Sequence, residues 1–205
     1  MEAVTTRLIA WGVAELALAG QVESGDCSVV QPFADGILVA AVDGIGHGSE
    51  AAAAASIAAA TLKQFAFEPL AALFYRCHER LRHTRGVVMS VASFHAGEPT
   101  MAWCGVGSVA GVLQRVGPFG SPASETLLLR CGVVGSHLPP LSASARSVNP
   151  GDTLILATDG IRRGFAEELV RAVPPRGAAD RILARHARGT DDALVLVARY
   201  MGGPG

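Results

Sequence analysis

The sequence predicts an α+β fold built on largely antiparallel sheets. Three observations carry the prediction. Short apolar runs recur between Gly, Pro and Ser breaks, as strands joined by tight turns do. Two helical stretches follow one another in the middle of these runs, the first rich in alanine, and a second helical pair comes later. The resulting order is strands, two helices, more strands, two helices and one strand, which groups helices together instead of alternating them with strands.

Each element has its own warrant. Residues 7–18, centred on Leu8-Ile9-Ala10-Trp11-Gly12-Val13, predict a first strand. The apolar run Leu8–Gly20 contains Ala17-Leu18-Ala19, a pattern found at signal-peptide cleavage sites, but the leading segment carries Glu2 as well as Arg7 and Glu15 interrupts the run, so the strand is preferred and export is the alternative. Cys27–Phe33 predicts a second strand, and Asp35-Gly36 a hairpin turn into the apolar run Gly36–Val42. Ser49 stands where an N-cap belongs, Glu50 suits the first turn, and Ala51–Phe65 is strongly helix-forming. Pro69 opens a second helix to about Arg85, with Leu70, Leu73, Phe74, Cys77 and Leu81 on one face. Val87–His95, Met101–Cys104, Ser108–Arg115 and Thr126–Cys131 then read as short strands. Asn149-Pro150-Gly151-Asp152 is a turn into the strand Thr153–Ala157. Gly164–Val173 and Ala178–Arg188 predict helices separated by Pro174-Pro175, and Ala193–Tyr200 a last strand.

Composition excludes several classes. With 205 residues, 50% of them hydrophobic and 17% charged, the chain suits one well-cored domain spanning 1–205, and not a disordered protein. A net charge of −1 gives no footprint for nucleic acid or an anionic membrane. No apolar run approaches the roughly 20 residues of a membrane helix. Cys27, Cys77, Cys104 and Cys131 lack zinc spacing and read as buried thiols of a cytoplasmic protein.

The chemistry concentrates in acidic turns. Asp43-Gly44-Ile45-Gly46-His47-Gly48 joins an apolar strand to the alanine helix. Gly25-Asp26, Thr158-Asp159-Gly160 and Asp191-Asp192 also sit at ends of predicted strands. Carboxylates converging there with no basic neighbour would repel unless a cation lay between them. Oxygen donors without clustered His or Cys suit Mg²⁺ or Mn²⁺. The glycines at 44, 46 and 48 also allow a weaker nucleotide-loop reading, against which stand the acid before the first glycine and the helix that follows the helix.

Taken in order, Ser24-Gly25-Asp26, Asp43–Gly48, Asn149–Ile161 and Asp191–Val197 resemble the motifs of the metal-dependent protein phosphatases (PPM, or 2C-type), in particular their bacterial SpoIIE-like branch. The resemblance spans residues 24–197. It implies an αββα sandwich, two central, mainly antiparallel sheets flanked by helix pairs. It also implies hydrolysis of phosphoserine or phosphothreonine on a partner protein by a metal-activated water, with two Mn²⁺ or Mg²⁺ ions. By position, Asp43 would bridge the ions, with Asp26 and the Gly44 carbonyl on one and Asp159 and Asp191 on the other. Asp192 would support them. The partners implied are phosphorylated STAS-domain proteins of a stressosome-like stress-signalling complex; a catalytically weak docking protein of that complex is the alternative. Two departures stand out. Ile45 occupies the place where many relatives carry a histidine, leaving His47 two residues on, and no phosphate-gripping arginine is evident near the start. Arg162 and Arg163 are candidate phosphate contacts, with solvated helix-end cations as the plain reading. Asp35, Asp152 and Asp180 read as turn or cap residues, Trp11 and Trp103 as core, and His78, His83, His95, His137 and His186 as surface or structural.

Overall fold

The computed structural model describes residues 8–116, 124–168 and 172–203. Among these residues ten strands form two five-stranded sheets in which every strand pairing is antiparallel. Sheet one has the order β1-β10-β9-β6-β7, from β1 (Ile9–Leu16), β10 (Ala193–Tyr200), β9 (Thr153–Ala157), β6 (Ala110–Gln114) and β7 (Ser124–Thr126). Sheet two has the order β2-β3-β4-β5-β8, from β2 (Asp26–Phe33), β3 (Gly36–Gly44), β4 (Val87–His95), β5 (Thr100–Val106) and β8 (Ser144–Ser147). Helices α1 (Ser49–Gln64) and α2 (Leu70–Leu81) pack on sheet two, and α3 (Pro175–His186) packs on sheet one. This is the expected αββα sandwich, with one α-helix on sheet one and no parallel βαβ unit for a dinucleotide loop among the described residues.

Period-two alternation sorts the strand residues into three apolar layers. On β3, Leu38, Ala40 and Val42 face the helices, while Ile37, Val39 and Ala41 face the other sheet. On β10, Leu194, Leu196, Ala198 and Tyr200 lie between the sheets, and Ala193, Val195 and Val197 meet α3. Strands covered on both faces read as continuous apolar runs, which is why β3, β9 and β10 were legible. Phe94 of β4 and Tyr200 of β10 stack across the seam at 6.1 Å between centroids. The alanine face of α1 (Ala51, Ala54, Ala55, Ala58) lets that helix lie close on sheet two.

Several expectations need correction. The first turn of α1 is preceded by Gly48, and Ser49 is its first helical residue, with no side-chain cap. The helix expected over Gly164–Val173 is a 3₁₀ turn, Arg163–Glu167, and residues 169–171 lie outside the described residues. The strand expected over Thr126–Cys131 ends at Thr126. Beyond it the chain crosses between the sheets: the Leu127 amide donates to Gly111 of β6, and the Arg130 amide to Gly105 of β5. Polar β8 was not predicted. Trp103 is buried, but Trp11, on edge strand β1, is 52% exposed. Cys77 and Cys104 are buried, Cys27 is half-buried and Cys131 is exposed.

Candidate metal centre

The acidic turns meet at one end of the sandwich. Asp26 opens β2, Asp43 lies one residue from the end of β3, and the two are directly paired in register. Opposed residues of an antiparallel pair share a face with Cβ atoms roughly 5 Å apart. Alternation puts Asp43 in the row of Ile37, Val39 and Ala41, so both carboxylates project from sheet two toward sheet one. The corner is closed by the Gly44 amide, which donates to the Gly25 carbonyl at 3.0 Å. A Cβ on Gly44 would run into the backbone of Ala51, so only glycine lets α1 start this close to the turn.

Sheet one supplies the other acids. Asp159 follows the end of β9 by two residues and Asp191 precedes the start of β10 by two; both are exposed. Asp159 accepts a hydrogen bond from the Ser108 hydroxyl at 3.2 Å. Asp192 is buried, and its two oxygens accept from the Leu18 and Gly25 amides, each at 2.7 Å. Its carboxylate thus ties the β1–β2 connection to the start of β10 and holds the residue next to Asp26. Gly160 lies directly against the Asp192 carbonyl, leaving no room for a side chain.

The electrostatics fit a cation. Burial pushes the Asp26 carboxyl up to about 7; the Thr158 hydroxyl bond opposes this, and Asp192, Asp159 and Asp191 add to it. Burial, followed by Asp26, Asp159, Asp191 and Asp192, pushes Asp43 up to about 8. Asp159, Asp191 and Asp192 therefore act on both Asp26 and Asp43 at this end of the seam. No three carboxylate, imidazole or thiolate groups among the described residues close into a preformed cage. The donor chemistry nevertheless fits a hard divalent ion: carboxylate oxygens from both sheets, a backbone corner at Gly44, and no soft ligand.

Other candidates fall elsewhere. His47 is exposed on the turn after Asp43. Arg162 donates to the Ala187 carbonyl at 3.1 Å, beyond the last turn of α3, which is the plain helix-end role. Arg163 is exposed at the start of the 3₁₀ turn. Sequence reasoning passed over Arg85, whose guanidinium lies against Gly46 of the acidic turn and pairs with Glu50 at 2.5 Å. It also passed over Ser108 and Thr158. Their signal was available in Thr158, which shares the parity of the between-sheet residues Leu154 and Leu156.

Comparison with known proteins agrees with this fold. The family described as Stage II sporulation protein E (SpoIIE) matches residues 34–201. The chain is 22% identical over 151 residues to phosphoserine phosphatase RsbX of Bacillus subtilis (strain 168), covering 73% of each protein. RsbX in complex with magnesium superposes with a TM-score of 0.83 at 19% identity, over 94% of this chain and 96% of that one. A structure from the bacterial stressosome, described as a modular system adapted to control secondary messenger signalling, gives a TM-score of 0.83 at 28% identity, over 93% and 99%. The catalytic domain of the serine/threonine phosphatase PstP with two manganese ions gives 0.72 at 17% identity, over 95% and 99%.

Proposed function

The chain belongs to the SpoIIE family, and from that premise we propose that it is a single-domain, metal-dependent protein serine/threonine phosphatase. Its substrates on this reading are phosphoserine or phosphothreonine residues of STAS-domain proteins in a stressosome-like complex of the cytoplasm. The observation that carries the reaction is the gathering of carboxylates from both sheets at one end of the seam, where Asp159, Asp191 and Asp192 act on Asp26 and Asp43. Support for the partner comes from the kinship with phosphoserine phosphatase RsbX and the match to a stressosome structure. No helix among the described residues is long and apolar enough to cross a membrane.

In this reading Asp26, Asp43, the Gly44 carbonyl, Asp159 and Asp191 would hold two Mn²⁺ or Mg²⁺ ions. When bound, the ions would acidify a water and offset the charge of the phosphoryl oxygens. Asp192 keeps the Gly25 amide, and with it the start of β2, in place. Ser108 orients Asp159 through its hydroxyl. Arg85 is the guanidinium that stands beside the Asp43–Gly48 turn, and its exposed pair with Glu50 is a weak one that a phosphate dianion can displace.

The test is phosphate release from p-nitrophenyl phosphate, a phosphothreonine peptide and phosphorylated STAS domains. Each is assayed with Mn²⁺, Mg²⁺ or EDTA, beside Asp43→Asn. Release that needs metal and Asp43 is expected. Binding of the phosphorylated STAS domain without any release would instead identify a docking protein.

A further inference from the structure

We infer that Thr158 is a positioning residue for the metal centre, holding the Asp26 carboxylate from the opposite sheet. The inference rests on the reading of Asp26 as a metal ligand. Thr158 follows β9 directly and continues the row of Leu154 and Leu156 that faces sheet two. Its hydroxyl donates to Asp26 Oδ2 at 2.7 Å, in a contact between residues 132 apart in sequence. The same oxygen accepts the Leu194 amide of β10 at 2.8 Å. A hydroxyl has one proton to give. Its other acceptor here, the Leu194 carbonyl, is farther at 3.4 Å, so the proton goes to Asp26.

The geometry is that of a fixed clamp. Thr158 is 2% exposed and Asp26 8%. The amide that fixes the hydroxyl oxygen belongs to the central strand of three, β1-β10-β9. A β-branched side chain also has few χ1 choices, so the hydroxyl cannot swing away cheaply. Among the described residues Asp26 Oδ1 accepts from no protein donor, which leaves that oxygen for an ion. A hydroxyl that orients one oxygen of a ligating carboxylate acts on the metal through the ligand, and loss of such partners typically weakens metal binding by roughly 10–100-fold.

The alternative is that the hydroxyl only serves the Leu194 amide and so matters for the sheet alone. Calorimetric titration of the full chain with Mn²⁺ separates the two, using Thr158→Val, Thr158→Ser, Asp26→Asn and the double variant Asp26→Asn/Thr158→Val. Circular dichroism is used first to verify that each variant is folded at the assay temperature. The expected result is that Thr158→Val weakens one Mn²⁺ step by roughly 10–100-fold, that Thr158→Ser restores it, and that Thr158→Val costs nothing further once Asp26 is Asn. Should Thr158→Val not fold, Thr158→Ala carries the same comparison. Wild-type Mn²⁺ affinity in a folded Thr158→Val chain, even one with a lower melting midpoint, overturns the inference, as does a loss fully additive with Asp26→Asn. A wild-type chain that binds Mn²⁺ yet releases no phosphate would sink the proposed activity and leave the positioning role standing. A wild-type chain that binds no Mn²⁺ would sink both.

Discussion

Replacing Asp43 with Asn should stabilise the cation-free protein while ending its turnover. The folded chain pushes the Asp43 carboxyl from 3.8 up to about 8, chiefly by burial and then by the neighbouring acids. Between those values the folded chain holds a proton that the unfolded chain has released, so stability falls as pH rises and the full penalty is reached above pH 8. At about 1.4 kcal/mol per tenfold change in ionisation, a carboxyl moved this far carries a penalty on the order of 5 kcal/mol. Asn has nearly the same shape and no charge to bury. In urea titrations at pH 8 with EDTA, Asp43→Asn should therefore unfold several kcal/mol later than wild type, and the difference should shrink toward pH 5. Saturating Mn²⁺ should close the gap from the other side, since a ligand at 100 times its Kd adds about 2.7 kcal/mol to the form that binds it. An Asp43→Asn chain that is no more stable than wild type in EDTA at pH 8 would refute the claim that this end of the seam is electrostatically strained.

Three further outcomes follow from the same geometry. Gly44→Ala places a methyl in the backbone of Ala51 and should cost roughly 1–3 kcal/mol by overpacking; it should also lower Mn²⁺ affinity, read by calorimetry. Asp192→Ala strips the acceptor from the Leu18 and Gly25 amides; a loss of roughly 1–3 kcal/mol per stranded buried donor, partly offset by removal of a charge beside Asp26, should appear in thermal denaturation. Arg162→Ala should leave kcat/KM for a phosphopeptide within about threefold of wild type. It should cost only about 0.3–1 kcal/mol of stability, because the guanidinium serves the end of α3.

Much of this architecture was legible because burial on both faces writes continuous apolar runs, and β3, β9 and β10 carry them. The acids were legible for a related reason: a carboxylate at the end of such a run has no ordinary place in a core. What was hidden depended on contacts between distant segments. The Ser144–Ser147 strand looks like a loop because an edge strand with half-exposed residues needs no apolar pattern. Leu127 and Leu129 have strand-like alternation, yet the chain spends it crossing the seam. Trp11 has the composition of a core residue, but its position on an edge strand leaves it half-exposed. Arg162 and Arg85 show the same limit for charges. Only the fold reveals that the first turns to a helix end and the second lies beside the acidic turn.

The pairing of β1 with β10 also bears on how the protein is made. Sheet one places its earliest strand beside its latest, with Ile9 opposite Tyr200 and Leu16 opposite Ala193. During synthesis β1 emerges with no partner and waits for nearly two hundred residues of chain to be translated. Asp191 and Asp192 arrive only as β10 does. Sheet two and its helix pair, drawn from one run of chain between Asp26 and Val106 apart from short β8, can assemble on the ribosome beforehand. A prematurely terminated product would thus present one finished sheet with an uncovered apolar face, a ready target for chaperones and proteases. The carboxylates from the two sheets would come together at the end of the seam only once β10 is in place.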